Sequence, residues 1–349
     1  MAIFTGFVGT YTKQDGKGIH TFELDTEKAE LSNAKVAAEV NNSTYVTISE
    51  NEKFLYAVEK GGKGGGLAAF SIDNGQLHKL NDVLDSEGVP CHVTLNKNGT
   101  RAFTAQYHTG TAEMYSINAE TGQLVDLLDI ATHEGTGPNP DRQEKAHTHF
   151  FGTTKDERYV IAVDLGTDEI VTYEVAGEDL LKKAVFNVEP GAGPRHLVFH
   201  PTECVAYVMT ELSNEVLVLA FNEQDGTFEQ LASYKTIPAD FAENSQGSAI
   251  RISSDGRFVY AGNRGHNSIA VFETLEDGRD VRLVEIVSTK GDWPRDFDLD
   301  PTEMFLIVAH EKTHNVVLFK RGAETGRLTP ANSEVTVPEG VCVAFLKGN

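Results

Sequence analysis

A three-strand unit recurs along the chain at a spacing of 45 to 57 residues, and a repeat of that length leaves few architectures open. It is clearest in HVTLNKNGTRAFTAQYHTGTAEMYSI from His92, HFFGTTKDERYVIAVDLGTDEIVTYEV from His149 and HLVFHPTECVAYVMTELSNEVLVLAF from His196. Further copies begin at Tyr45, Ala249 and Asp296. Each has an alternating apolar strand, a polar turn, a second apolar strand, a loop and a third strand. A weaker fourth strand follows, as in LVDLLDIAT after Gln123. Four short strands repeated every ~40–50 residues are the signature of a β-propeller.

The seventh unit is divided between the ends of the chain. Only one strand, VCVAFLKG, begins at Val341. At the other end FTGFVGTY, GIHTFEL and LSNAKVAAEV read as second, third and fourth strands with no first strand before them. The expected fold is therefore an all-β, seven-bladed β-propeller, one domain over residues 1–349. Its ring is closed by the C-terminal strand joining the three N-terminal strands, which leaves no sheet edge free for unwanted pairing. GGKGGG at 61–66 sits between strands of one unit, and residues 135–145 and 238–247 form long interblade loops. Loops of that length tend to be functional.

Charge and cysteine usage narrow the class. With 52 acidic against 30 basic residues the net charge is −22, so no basic stripe exists to neutralise phosphates, and nucleic acid is excluded as a partner. The N-terminus shows no basic region followed by an apolar run, and no stretch approaches the ~20 apolar residues of a membrane span. A cytoplasmic protein, monomeric or homodimeric, is expected. Cys91, Cys204 and Cys342 are odd in number and scattered, which fits neither a disulfide framework nor a metal-ligand pattern.

Antiparallel order locates the chemistry. The loop entering the first strand of a blade and the loop joining its second and third strands lie at the same end of the ring. Of the 12 histidines, His92, His133, His147, His149 and His196 fall at entry loops. His108, His266, His310 and His314 fall at second-to-third loops, leaving only His20, His78 and His200 elsewhere. Arg195, Arg264, Arg295, Lys312, Glu211, Glu311, Asp164, Asp168 and Asp296 collect at the same end, whereas the opposite end carries plain turns such as SSDG and NKNG. One end of the ring is expected to be a functional mouth.

The residues there admit more than one use. His92 and His196 open innermost strands and could equally hydrogen-bond neighbouring blades. His147 and His149 stand two apart, which on an extended strand points both side chains to one face. That spacing could chelate a metal, but no third or fourth ligand is evident. Arginines near the axis, Arg195 and Arg264, need a carboxylate or an anionic ligand in a confined channel, and Glu211 suits either role. No G-x-S-x-G elbow is present, GGKGGG lacks the lysine–hydroxyl pair of a phosphate loop, and the blades lack the Trp-Asp ending of a WD40 scaffold.

The units HTHFFGTTKDERYVIAVDLGTDEIVTYEV, GPRHLVFHPTECVAYVMTELSNEVLVLAF and IRISSDGRFVYAGNRGHNSIAVF resemble the lactonase family of seven-bladed propellers. That family includes propeller-type 6-phosphogluconolactonases and the 3-carboxy-cis,cis-muconate lactonizing enzyme. GTYT at Gly9–Thr12 and Pro90-Cys91-His92 extend the likeness to most of the chain. The resemblance implies a site free of metal and cofactor that handles a small anionic lactone. It would put the family's functional histidine on His147, with His149 second, its arginines on Arg195 and Arg264, and its acid/base carboxylate on Glu211. His149, His196, His92, His266 and Asp296 are the further residues expected to bind substrate. Ala249-Ile250-Arg251 stands where many relatives have Glu-Ile-His, a departure that points to a pocket tuned for a different substrate.

Hydrolysis of 6-phosphogluconolactone is the leading expectation, with Glu211 or His147 taking the proton of water. A carboxymuconate-type cycloisomerase would use the same acid/base group, so the shared motifs do not separate the two reactions. A non-catalytic binding propeller is the third reading, against which the titratable groups gathered at the axis weigh.

Overall fold

Gly340–Phe345 pairs antiparallel with Ile3–Thr10, with Phe345 opposite Gly6 and Val343 opposite Val8. Gly18–Asp25 and Glu30–Glu39 complete that sheet. Strands from the two ends of the chain thus share one blade, as the divided repeat requires. The computed structural model describes residues 3–348, and these form seven four-stranded sheets with no helix among them. Residues 1, 2 and 349 of the expected domain lie outside the described residues. Counting the closing blade as the first, the innermost strands of blades two to seven are Val46–Ile48, His92–Leu95, Thr148–Thr153, Pro194–Phe199, Gln246–Ile252 and Pro294–Leu299. Each touches the innermost strands of both neighbours, so the ring is closed.

Burial explains why the second and third strands read as continuous apolar runs. They are covered on both faces by adjacent blades, whereas the outer strands alternate. The apolar residues fall into seven clusters, one for each seam between blades. Between blades five and six, Tyr207, Met209 and Val218 pack on Val259, Ala270 and Phe272. The closing seam sets Phe305, Ile307 and Leu318 against Val8, Phe22 and Phe345.

Polar latches recur along these seams on the face opposite the mouth. The hydroxyls of Tyr56, Tyr207 and Tyr260 donate to the carbonyls of Gly122, Gly278 and Gly326 in the next blade, at 2.8, 2.7 and 3.0 Å. Each such bond is worth about 1 kcal/mol net, and it spares a buried phenol an unmade bond. Gly326 shows why the acceptor is glycine. Its φ is +67°, and a Cβ there would sit 2.3 Å from the Phe258 ring. No helix among the described residues is long and apolar enough to cross a membrane.

Candidate active site

A slip of register at the mouth end of the innermost strands creates the site. In blades four, five and seven the pairing shifts between Thr148 and Phe150, Pro194 and His196, and Pro294 and Asp296. The extra residues, His149, Arg195 and Arg295, are left out of the ladder. A β-bulge re-aims a side chain in this way without altering the strand beyond it. A second set of residues comes from the ends of the second strands. Glu211 follows Val205–Thr210, Tyr107 follows Arg101–Gln106, Arg264 ends Phe258–Arg264, and Tyr11 follows Ile3–Thr10. Together with the entry loops they surround a cavity of about 530 Å³.

Glu211 is the hub. Its backbone N–H donates to the Gly193 carbonyl at 2.6 Å and its own carbonyl accepts from Gly247, which stitches blade five to blade six. Its carboxylate, 2% exposed, accepts from Arg264 and Arg142 and lies 3.1 Å from Nε of Arg195. Burial alone would raise this carboxyl. Arg264, Arg195 and Arg142 together outweigh burial and hold it well below the usual carboxylate range. The pairing leaves positive charge over. Among the described residues Nε of Arg264 and Nη1 of Arg195 are buried without a hydrogen-bond partner, and Nε of Arg195 meets Glu211 as an ion pair only. Among the described residues Arg295 makes no hydrogen bond or ion pair; its guanidinium lies 5.6 Å from the centre of the Tyr11 ring. In a chain of net charge −22, three guanidiniums pair with the one carboxylate of Glu211, and a fourth, that of Arg295, lines the same cavity with Glu311.

The two histidines of His-x-His do different things, because the bulge falls between them. His149 lines the cavity, and its Nδ1 has no partner. Burial, reinforced by the charge of Arg195, holds it well below the usual histidine range, so it is a neutral imidazole. His147 does not line the cavity. It stacks on Tyr107 at 4.2 Å, with Nδ1 2.7 Å from the Tyr107 carbonyl and Nε2 3.1 Å from Glu144. Among the described residues no group of three or more His, Cys, Asp or Glu side chains is arranged to hold a metal ion.

The other expected substrate-binding residues lie deeper or farther out. His92 and His196 form an aromatic layer across the axis with Tyr45 and Phe150; His196 is 5.2 Å from His92 and 5.1 Å from His149. Burial, with Arg251 and Arg195 nearby, pushes His92 down to about 3. Below this layer is a second cavity of about 230 Å³ at the far end of the axis, lined by Tyr45, Arg251 and Asp298. Asp296 belongs to that end. It accepts from Arg251 at 3.0 Å and from the Val343 N–H at 3.0 Å, and it does not line the mouth. His266 sits at the rim, 2.7 Å from the Ser268 hydroxyl and edge-on to Phe241.

Asp164 and Asp168 organise loops. Asp164 holds the His147 N–H and the His133 ring, and Asp168 accepts from Gly191 and Gly193, just ahead of Arg195. The cavity also holds residues that sequence reasoning did not select: Arg142, Tyr107, Tyr11 and Trp293. Arg142 comes from the 135–145 loop, whose length was its only signal. Trp293 adopts φ +67°, a strained conformation for a bulky side chain. The Asn267 side chain fixes it there by accepting its N–H at 2.9 Å.

The ring of seven blades and the mouth cavity define a propeller of one class. The sequence matches the lactonase seven-bladed β-propeller family over residues 5–345, and the chain belongs to that family. It is 49% identical to the 6-phosphogluconolactonase of Bacillus subtilis (strain 168), over 99% of both chains. A Lactobacillus plantarum protein of known structure superposes with a TM-score of 0.94 at 41% identity, covering 99% of this chain and 100% of that one. The Pseudomonas aeruginosa periplasmic gluconolactonase superposes with a TM-score of 0.93 at 27% identity, over 99% of each.

Proposed function

We propose that the protein is a lactone hydrolase that converts 6-phosphoglucono-1,5-lactone and water to 6-phosphogluconate. The name of the Bacillus subtilis relative, matched end to end at 49% identity, supports the reaction class. The observation that carries the reading to this chain is the excess of guanidinium over carboxylate around Glu211. Such a site favours an anionic ligand and, above all, an oxyanion formed within it.

In this reading the lactone carbonyl accepts hydrogen bonds from the arginines that line the cavity, Arg264 and Arg142. Water adds to the carbonyl carbon as its proton passes to His149. The ring C–O bond then breaks, and the departing oxygen recovers that proton to leave an open-chain hydroxy acid. The acid ionises and releases the second proton of the water. His149 is preferred as base over His147, both of whose nitrogens are engaged. It is preferred over Glu211 because three guanidiniums occupy that carboxylate, whereas among the described residues Nδ1 of His149 has no hydrogen-bond partner. Glu211 instead orients the arginines and stabilises the imidazolium while it lasts. Arg195, behind the carboxylate, is a positioning residue.

The test is hydrolysis of freshly generated 6-phosphoglucono-δ-lactone, coupled to 6-phosphogluconate dehydrogenase. A rate far above the spontaneous one is expected, reduced about 10²–10³-fold in Glu211→Gln with the fold retained by circular dichroism. No acceleration by the wild-type protein overturns the reading, and a fully active Glu211→Gln removes Glu211 from the site.

A further inference from the structure

The cavity has a second wall, and its chemistry differs from that of the Glu211 wall. In a ring of seven, blade five faces the seam between blades one and two. From that seam come Lys13, Asn42, Thr44 and Lys60, all lining the cavity. Hydrogen bonds join them into one unit. The Thr12 N–H donates to Asn42 Oδ1 at 3.1 Å, and Asn41 Nδ2 donates to the Lys60 carbonyl at 3.2 Å. Among the described residues the Lys60 ammonium has no ion pair or hydrogen bond. The Thr44 hydroxyl and the side-chain nitrogen Nδ2 of Asn42 are likewise unbonded, while the Asn42 backbone N–H donates to the Thr12 hydroxyl. Lys13 lies 3.5 Å from the centre of the Tyr11 ring, and its one carboxylate neighbour is Glu311 at 3.6 Å. Arg295, on the same Tyr11 ring, stands between the two walls.

Where Glu211 absorbs charge on the first wall, this one offers donors almost unopposed. We infer that the wall formed by Lys13, Asn42, Thr44 and Lys60 is a phosphoryl-group subsite, which makes the protein select lactones carrying a phosphate remote from the reacting carbonyl. The inference rests on the lactonase reading and goes further by assigning the discrimination between phosphorylated and plain sugar lactones. That discrimination is a live question in this family, whose relatives include both a 6-phosphogluconolactonase and a gluconolactonase. In 6-phosphogluconolactone the phosphate hangs on a carbon outside the ring. With the carbonyl against Arg264, the phosphate points across the cavity. Lysines suit such a group as mobile point charges, with neutral donors completing its oxygens.

The experiment measures kcat/KM for 6-phosphoglucono-δ-lactone and for glucono-δ-lactone by pH-stat, in wild type, Lys60→Ala and Lys13→Ala/Lys60→Ala. Calorimetric binding of 6-phosphogluconate and gluconate to the same proteins accompanies it. The ratio of the two kcat/KM values is expected to fall about tenfold in the single variant, chiefly through KM. It falls further in the double variant, and 6-phosphogluconate affinity drops in parallel while that of gluconate does not follow. An unchanged ratio in the double variant, with 6-phosphogluconate bound as before, overturns the subsite. If the wild type hydrolyses neither lactone, the lactonase reading fails separately. Binding then still decides: weakening confined to 6-phosphogluconate sustains the phosphoryl subsite, and its absence removes it.

Discussion

The two ends of the axial channel are built from the same strands and handle charge in opposite ways. At the mouth, Glu211 faces Arg142, Arg195 and Arg264, and Arg295, over the Tyr11 ring, has no ion pair among the described residues. Below the aromatic layer, Arg251 is matched by Asp296 at 3.0 Å and Asp298 at 3.2 Å. The far end therefore has carboxylates enough for its one guanidinium and no positive charge left over, whereas the mouth holds more guanidinium than carboxylate and needs an anion from outside. Burying charge without balance is costly, so a propeller that leaves one end unbalanced has that end committed to a ligand. Of the three residues Ala249-Ile250-Arg251, Ala249 is buried in the seam between blades six and seven and Arg251 lines the far cavity, so neither lines the mouth.

Replacing Arg251 by Met breaks the balanced end and is expected to have the largest effect. Two carboxylates lose their cation. Asp298, raised to about 6 by burial despite Arg251 and with Asp296 adding to the rise, would be driven up further. Removing one partner of a buried pair typically costs ~3–5 kcal/mol, so urea denaturation near pH 7 should show a loss of about 3 kcal/mol. The lactonase rate of the folded fraction should change far less than in Glu211→Gln. Equal damage to stability and to rate would mean that the two ends are not separate.

At the mouth the comparison sharpens to two histidines. His149→Asn should lower kcat/KM about 10²-fold, the scale of general-base help. His147→Asn, which loses stacking on Tyr107 and the contact to Glu144, should lose less than about tenfold. The reverse order would return the base to His147.

That pair also marks what could be read from the chain alone. Seven blades, the shared closing blade and the crowded mouth follow from repeat spacing and antiparallel order, which depend only on strand sequence. Alternation then predicts that residues two apart share a face, and this fails wherever the ladder slips. The bulges at His149, Arg195 and Arg295 depend on pairing register with the neighbouring strand, which no single segment encodes. Hence the lining of the cavity by His149 without His147 was not legible. Arg142 was hidden for another reason. It sits in a loop with no periodicity, and only the fold carries that loop over Glu211.

The smallest effect expected is in the pH profile, and it tests the state of the base. Burial and Arg195 hold His149 well below its ordinary 6.5, and the neutral form is the one that accepts a proton. The sign follows directly. Activity is present above the depressed value and is lost only as pH falls through it. Because kcat/KM reports groups in the free enzyme and the free substrate, and a substrate phosphate itself titrates at about 6, the profile is taken with glucono-δ-lactone, for which it should stay level between about pH 6 and pH 8 once spontaneous hydrolysis is subtracted. An ordinary exposed histidine would instead place the half-point near 6.5, within that window. A fall to half at that pH would show that the base is not the buried imidazole beside Arg195, and would transfer the role to a group outside the guanidinium cluster.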